Sequence, residues 1–152
     1  MTPRRRLASV ACLVTALAAL TACERPTPLV TVVNAGKSVY AEADTYCFEG
    51  QSTVEANCAV RRQSTPTLEV VPGEPVGVDV GKDVVEGGWF IELSDPQAPA
   101  EEAQPQQSEV QEDHYFTFTA PNLPPEGSLL LTVRSLDGET PNGQWSFLLV
   151  RR

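Results

Sequence analysis

A single histidine, His114, stands among 152 residues, and that scarcity removes much metal and acid–base chemistry at the outset. Without a second histidine, the His-based zinc sites of hydrolases cannot be assembled. His114 opens an aromatic stretch, where a polar cap on a strand is expected rather than a general base. The serines lack a G-x-S-x-G elbow, S-x-x-K does not occur after residue 23, and no G-x-x-x-x-G-K phosphate loop is present. Carboxylate pairs such as Glu42 with Asp44 and Asp79 with Asp83 arise readily by chance in a chain with 20 acidic residues. No catalytic residue, metal ligand set or cofactor is expected, and the chain reads as a non-enzyme.

Positive charge is also scarce. Eleven basic residues face 20 acidic ones, a net charge of −9, and three of the eleven are Arg4, Arg5 and Arg6. Loss of residues 1–22 would leave 8 basic residues against the same 20 acidic ones, a net charge of −12. Such a surface repels nucleic acid and anionic polymers. After residue 23 no stretch keeps a helical period between caps, and 13 prolines work against long helices.

The N-terminus is the most specific part of the sequence. Arg4 to Arg6 precede an apolar run from Leu7 to Ala22, 16 residues long, which is short of the roughly 20 a spanning helix needs. Positive-then-apolar order with small residues at the end is the layout of a secretory signal. The run stops at Leu20-Thr21-Ala22-Cys23, and polar Glu24-Arg25-Pro26 follows. This tetrad resembles the lipobox of bacterial lipoproteins. The resemblance implies a diacylglyceryl group on the Cys23 thiol and cleavage between Ala22 and Cys23. Residues 1–22 are then a lipoprotein signal peptide, 23–28 a lipidated cysteine with a short tether, and 29–152 the folded domain. Two acyl chains give stable anchoring at about 0.8 kcal/mol per buried CH₂, so the expected location is the extracytoplasmic face of the cell membrane. The Arg4-Arg5 pair also fits twin-arginine export, although Leu7 is its only other match, and general secretion is expected.

With Cys23 lipidated, Cys47 and Cys58 are the pair left in the domain. Outside the cytoplasm such a pair forms a disulfide, and so short a loop gives stabilisation on the order of 3 kcal/mol. A metal or redox role fits poorly, since there is no C-x-x-C.

Strand signals follow one another through the domain. Leu29–Val33 is β-branched and ends in Asn34-Ala35-Gly36. Leu68 and Val70, then Val76, Val78 and Val80, alternate with polar or small residues, the pattern of one face in a core. Trp89–Leu93, Tyr115–Thr119, Ser128–Val133 and Trp145–Val150 complete the series, the last two separated by the turn pairs Asp137-Gly138 and Asn142-Gly143. Trp89 and Trp145 stand among apolar neighbours and are expected in the core. The fold class predicted is all-β, a single Ig-like β-sandwich of seven to nine short strands, with a small barrel as alternative. The Cys…Trp…Cys spacing of antibody domains is absent.

Asp95 to Asp113 interrupts this pattern with an acidic, Pro- and Gln-rich insert. Its composition favours disorder or a solvated loop. Glu101, Glu102, Glu109 and Glu112 are the candidates for a partner-binding loop. Calcium binding by Glu101, Glu102, Glu109 and Asp113 has no fixed ligand spacing behind it.

Three pieces carry a family likeness: the Leu20–Cys23 box, the Cys47/Cys58 pair, and Leu68–Val76 (LEVVPGEPV) leading to Gly88-Trp89-Phe90. Together they resemble small actinobacterial lipoproteins of unknown function with an Ig-like extracytoplasmic domain. The resemblance implies an envelope protein and supplies no active-site residues. The expected function is therefore a membrane-anchored, non-enzymatic module for protein interaction in the envelope. Alternatives are a small-ligand or glycan-binding accessory lipoprotein, which requires an exposed tryptophan, and a protease-inhibitor-like loop presenter.

Overall fold

The computed structural model describes residues 25–48, 58–61, 64–99 and 104–152. The expected signal segment, Cys23, Glu101 and Glu102 lie outside the described residues.

In chain order the strands are β1 (Leu29–Asn34), β2 (Lys37–Glu42), β3 (Thr45–Tyr46), β4 (Ala59–Val60), β5 (Thr67–Val70) and β6 (Pro75–Val80). A single helical turn, α1 (Lys82–Val85), precedes β7 (Trp89–Ser94), β8 (Gln106–Gln107), β9 (Tyr115–Thr119), β10 (Ser128–Asp137) and β11 (Thr140–Arg151). One sheet has the order β2-β1-β6-β9, all antiparallel. The other runs β4-β3-β11-β10-β7-β8, with β5 lying parallel to the C-terminal half of β11.

The predicted all-β sandwich is what forms. Among the described residues there are eleven strands rather than seven to nine, because β3, β4 and β8 are two-residue strands too short to show a period. Pairing of β6 with β9 in one sheet and of β7, β10 and β11 in the other matches the B–E and C–F–G neighbours of an Ig-like sandwich. The β1–β2 hairpin adds to β6 through β1, the place strand A holds in that arrangement.

Alternation decides which residues meet between the sheets. Val30 and Val32 of β1 and Val76 and Val78 of β6 are fully buried, and face Leu131, Val133, Phe147 and Leu149 from the second sheet. Each such side chain contributes about 1.5–3 kcal/mol by leaving water. Trp89 and Trp145 are both wholly buried, one on β7 and one on β11. Asn34, the inward residue that ends β1, is buried and polar, and both ends of its amide are hydrogen-bonded. Its Nδ2 donates to the Pro75 carbonyl and its Oδ1 accepts from the Val71 N–H, each at 2.9 Å.

Two local expectations change. Asn142-Gly143 is not a turn but lies within β11: Gly143 stands opposite Ser135, and Asn142 is the extra residue of a bulge where the register shifts between Ser135 and Leu136. The hairpin reverses earlier, at Gly138, whose φ of +64° suits glycine. Gly143 serves instead for close packing, since a Cβ there would lie 2.4 Å from Ser135 Oγ and 2.7 Å from the Trp145 ring. The insert, secondly, is held along its second half. Gln106–Gln107 pair with Leu93 and Glu92, Trp89 bridges to Gln111, and Ser108 Oγ accepts from the Ile91 N–H. Disorder read from composition thus fails for residues 104–113, because backbone groups and one serine hydroxyl, not apolar burial, fix this segment on the edge of β7.

Candidate functional site

The disulfide expected between Cys47 and Cys58 is formed, with Cα atoms 4.3 Å apart. These cysteines stand opposite one another just beyond the Tyr46–Ala59 pair, so the bond extends the β3–β4 register by one step. It is a strap at the sheet edge, not the inter-sheet bridge of antibody domains.

Residues on either side of Cys47 lead to a surface cleft. Tyr46 and Phe48 are two apart on an extended chain, which sends both rings to the same side. Their centroids are 5.0 Å apart in an edge-to-face arrangement, and Tyr46 lies 5.9 Å from the buried ring of Trp145. Both rings line a cleft of about 470 Å³ at one end of the sandwich. Its walls come from three other places in the chain: Arg25, Pro26 and Pro28; Asp83, Glu86 and Gly87 in and after α1; and Leu136, Asp137, Gly138 and Asn142 around the β10–β11 reversal. In Ig-like terms these are the B–C and F–G connections, the end at which variable domains carry their binding loops.

Close packing fixes the walls. A Cβ on Gly87 would fall 1.7 Å from the Leu136 carbonyl oxygen, so only glycine lets the chain after α1 approach β10 this closely. The Leu136 N–H donates to the Gly88 carbonyl at 2.9 Å and ties the two connections together. The N-terminal segment is also anchored. Trp145 Nε1 donates to the Pro28 carbonyl at 2.9 Å, and the Ala43 N–H donates to Thr27 Oγ1 at 3.1 Å. Thr27 and Pro28, expected within a free tether, are therefore part of the domain.

Charge in the cleft is mostly negative. Among the described lining residues, Asp83, Glu86 and Asp137 face a single cation, Arg25, whose guanidinium carbon lies 4.6 Å from the Phe48 ring centroid, a cation–π contact. Burial, followed by the negative charge of Asp83, pushes the Tyr46 phenol above the ordinary tyrosine pKa; Glu86 and Asp137 act the same way and Arg25 opposes them. Tyr46 is only 6% exposed, and its hydroxyl makes no hydrogen bond among the described residues.

Other sequence candidates lie elsewhere. Glu109 and Glu112 are exposed in the segment beside β7 and are not among the residues that line the cleft. His114 Nδ1 is 3.0 Å from the Val80 carbonyl oxygen at the end of β6, a strand-end contact. Glu42 pairs with Arg61, and Asp79 sits on the outer face of β6 beside Tyr115, while Asp83 faces the cleft. Among the described residues, no group of three or more His, Cys, Asp or Glu side chains is placed to hold a metal ion. No helix of the described residues is long and apolar enough to cross a membrane. The cleft itself was missed in the sequence. Its one legible sign was the Tyr46-Cys47-Phe48 pattern beside a disulfide; its acids come from two connections that only the folded sheets bring together.

The chain matches no protein-family model and no curated protein at a significant level.

Proposed function

We propose that this chain is a lipid-anchored extracytoplasmic lipoprotein, held by Cys23, and that its β-sandwich is a binding module for another envelope protein rather than a catalyst. One observation supports the reading: Arg25, two residues after the expected anchor Cys23, lines the cleft. An extended chain over that span puts the lipidated sulfur's backbone within about 7 Å of Arg25. Trp145 and Thr27 hold the chain at Pro28 and Ala43, leaving little slack. A partner that meets this cleft does so at the bilayer surface. The Cys47–Cys58 disulfide agrees with an oxidising compartment.

A glycan platform built on Trp89 or Trp145 loses its basis, because both indoles are fully buried and both N–H groups are used by backbone carbonyls. The partner-loop reading of the insert rests on Glu109 and Glu112, which remain exposed.

Detergent partition and cross-linking in intact cells test the proposal together. Wild type should enter the detergent phase and Cys23→Ala should not. A cross-linked envelope protein should be lost on Tyr46→Ala and Phe48→Ala and kept on Glu109→Lys with Glu112→Lys. Membrane retention without Cys23 would refute the anchor, and the reverse cross-linking pattern would move the binding site from the cleft to the insert.

A further inference from the structure

The cleft has a chemistry more specific than concavity. Asp83 has a neighbouring cation, Lys82, at 3.4 Å, with both side chains largely in water. Glu86 and Asp137 have no ion pair among the described residues, and neither does Arg25, although all three line one small space. Arg25 instead spends its contact on the Phe48 face. The phenol of Tyr46, more than nine-tenths buried, presents a hydroxyl with no partner.

Taken together, the cleft offers two unpaired carboxylates, an unpartnered phenol oxygen able to accept, and an aromatic pair backed by Trp145. Every one of these groups favours a cation with several N–H donors. With Arg25 in place the lining still carries two net negative charges. The chain demonstrates the fit of one such group itself, since the guanidinium of Arg25 already lies against Phe48. About 470 Å³ is room for one long side chain and not for a folded segment.

We infer that this cleft accepts the guanidinium of an arginine side chain from a partner protein, seated between the Tyr46 hydroxyl and the Glu86 and Asp137 carboxylates, with Arg25 as the repelling neighbour. The inference rests on the binding-module reading above and names the group that is bound. Arg25 sets the affinity: as a like charge in the same space it weakens the incoming cation, so its removal tightens binding. Lysine is the poorer ligand here, because its compact, strongly hydrated ammonium matches neither the aromatic face nor two carboxylates as a planar fork does.

The test is calorimetric titration of the full chain in detergent micelles with acetyl-Gly-Arg-Gly-amide, and with the same peptide carrying Gln in place of Arg. The arginine probe should bind at least about tenfold tighter, the scale of one desolvated cation–π or carboxylate contact. Glu86→Gln with Asp137→Asn should lose about tenfold and Arg25→Ala should gain several-fold, on the same scale. Both variants alter exposed or half-exposed positions, and an unchanged melting curve shows that they fold. Equal affinity for the two probes, or undiminished binding by the folded double variant, would overturn the inference. Cleft-dependent binding of phosphatidylethanolamine vesicles without binding of the arginine probe would overturn it in favour of a lipid headgroup. The same titration on Cys23→Ala separates the two readings: discrimination without membrane attachment refutes the anchor alone, and attachment without discrimination refutes the arginine site alone.

Discussion

The indole N–H of Trp145, near the C-terminal end, donates to the carbonyl of Pro28, 117 residues earlier in the chain. One side chain thereby does two things. Its ring fills the core and supports Tyr46 from behind, and its nitrogen fixes where the N-terminal segment leaves the domain. Core packing and the course of the N-terminal segment at Pro28 are thus coupled.

Trp145→Phe separates those roles. The ring is partly replaced, a cavity remains, and the Pro28 carbonyl loses its donor, so the loss should be roughly 2 kcal/mol. Urea denaturation should show a lower midpoint with an unchanged slope. Limited proteolysis should also cut faster around residues 25–28. Destabilisation without faster cutting would mean that Thr27, through Ala43, is enough to hold the segment.

Asn34 is a second long-range clasp, joining β1 to both ends of the connection between β5 and β6. Asn34→Ala leaves the half-buried Val71 N–H and the more exposed Pro75 carbonyl without their side-chain partner, and should cost about 1 kcal/mol for each bond lost. Asn34→Asp keeps the acceptor for Val71 but sets a carboxylate against the Pro75 carbonyl, and should be at least as damaging. Parity of Asn34→Asp with wild type in thermal melting would show that the Pro75 bond contributes nothing.

The sheets were largely legible in the sequence because one physical signal, period-two burial, survives in a short window. Val76, Val78 and Val80 read as one face of a strand and are one, and Tyr115–Thr119 was found with its observed bounds. What was illegible depends on partners far away in sequence. Gln106 and Gln107 have no strand preference, yet they pair because β7 offers an open edge. Asn142-Gly143 has turn chemistry, but Ser135 and the Trp145 ring need a residue without a side chain at Gly143, and strand pairing wins. The cleft suffers the same limit. Asp83, Glu86 and Asp137 are unremarkable acids in an acidic chain until the Gly87–Leu136 contact brings their connections together.

Cys47 lies between Tyr46 and Phe48, so the disulfide bears on the site as well as on stability. Its two cysteines are separated by 11 positions, and a loop of that size gives about 3 kcal/mol through the entropy of the unfolded chain. Cys47→Ser with Cys58→Ser should therefore lower stability by roughly that amount in chemical denaturation. In the same variant the edge-to-face contact of Tyr46 with Phe48 should loosen, visible as averaging of the Phe48 ring signals by NMR. A stability loss with unaltered ring signals would assign the placement of Phe48 to Arg25 and the cleft walls rather than to the disulfide.

Alkaline titration reports on the charge around Tyr46 directly. Its folded pKa is raised, by burial first and then by Asp83, with Arg25 pulling down. In the window between the ordinary tyrosine value and the raised folded value, unfolded chains release this proton and folded chains keep it. The folded state then binds more protons, so stability is fully present below that window and falls as pH rises through it. Tyr46→Phe should remove this part of the alkaline slope. Ultraviolet titration of the phenolate should also resolve the neighbours by sign. Glu86→Gln and Asp137→Asn should each bring the late ionisation to lower pH, and Arg25→Ala should move it higher, because the compensating positive charge is gone. A downward shift on Arg25→Ala would place the guanidinium too far from the phenol to act on it, and would remove Arg25 from the group of charges that governs the cleft.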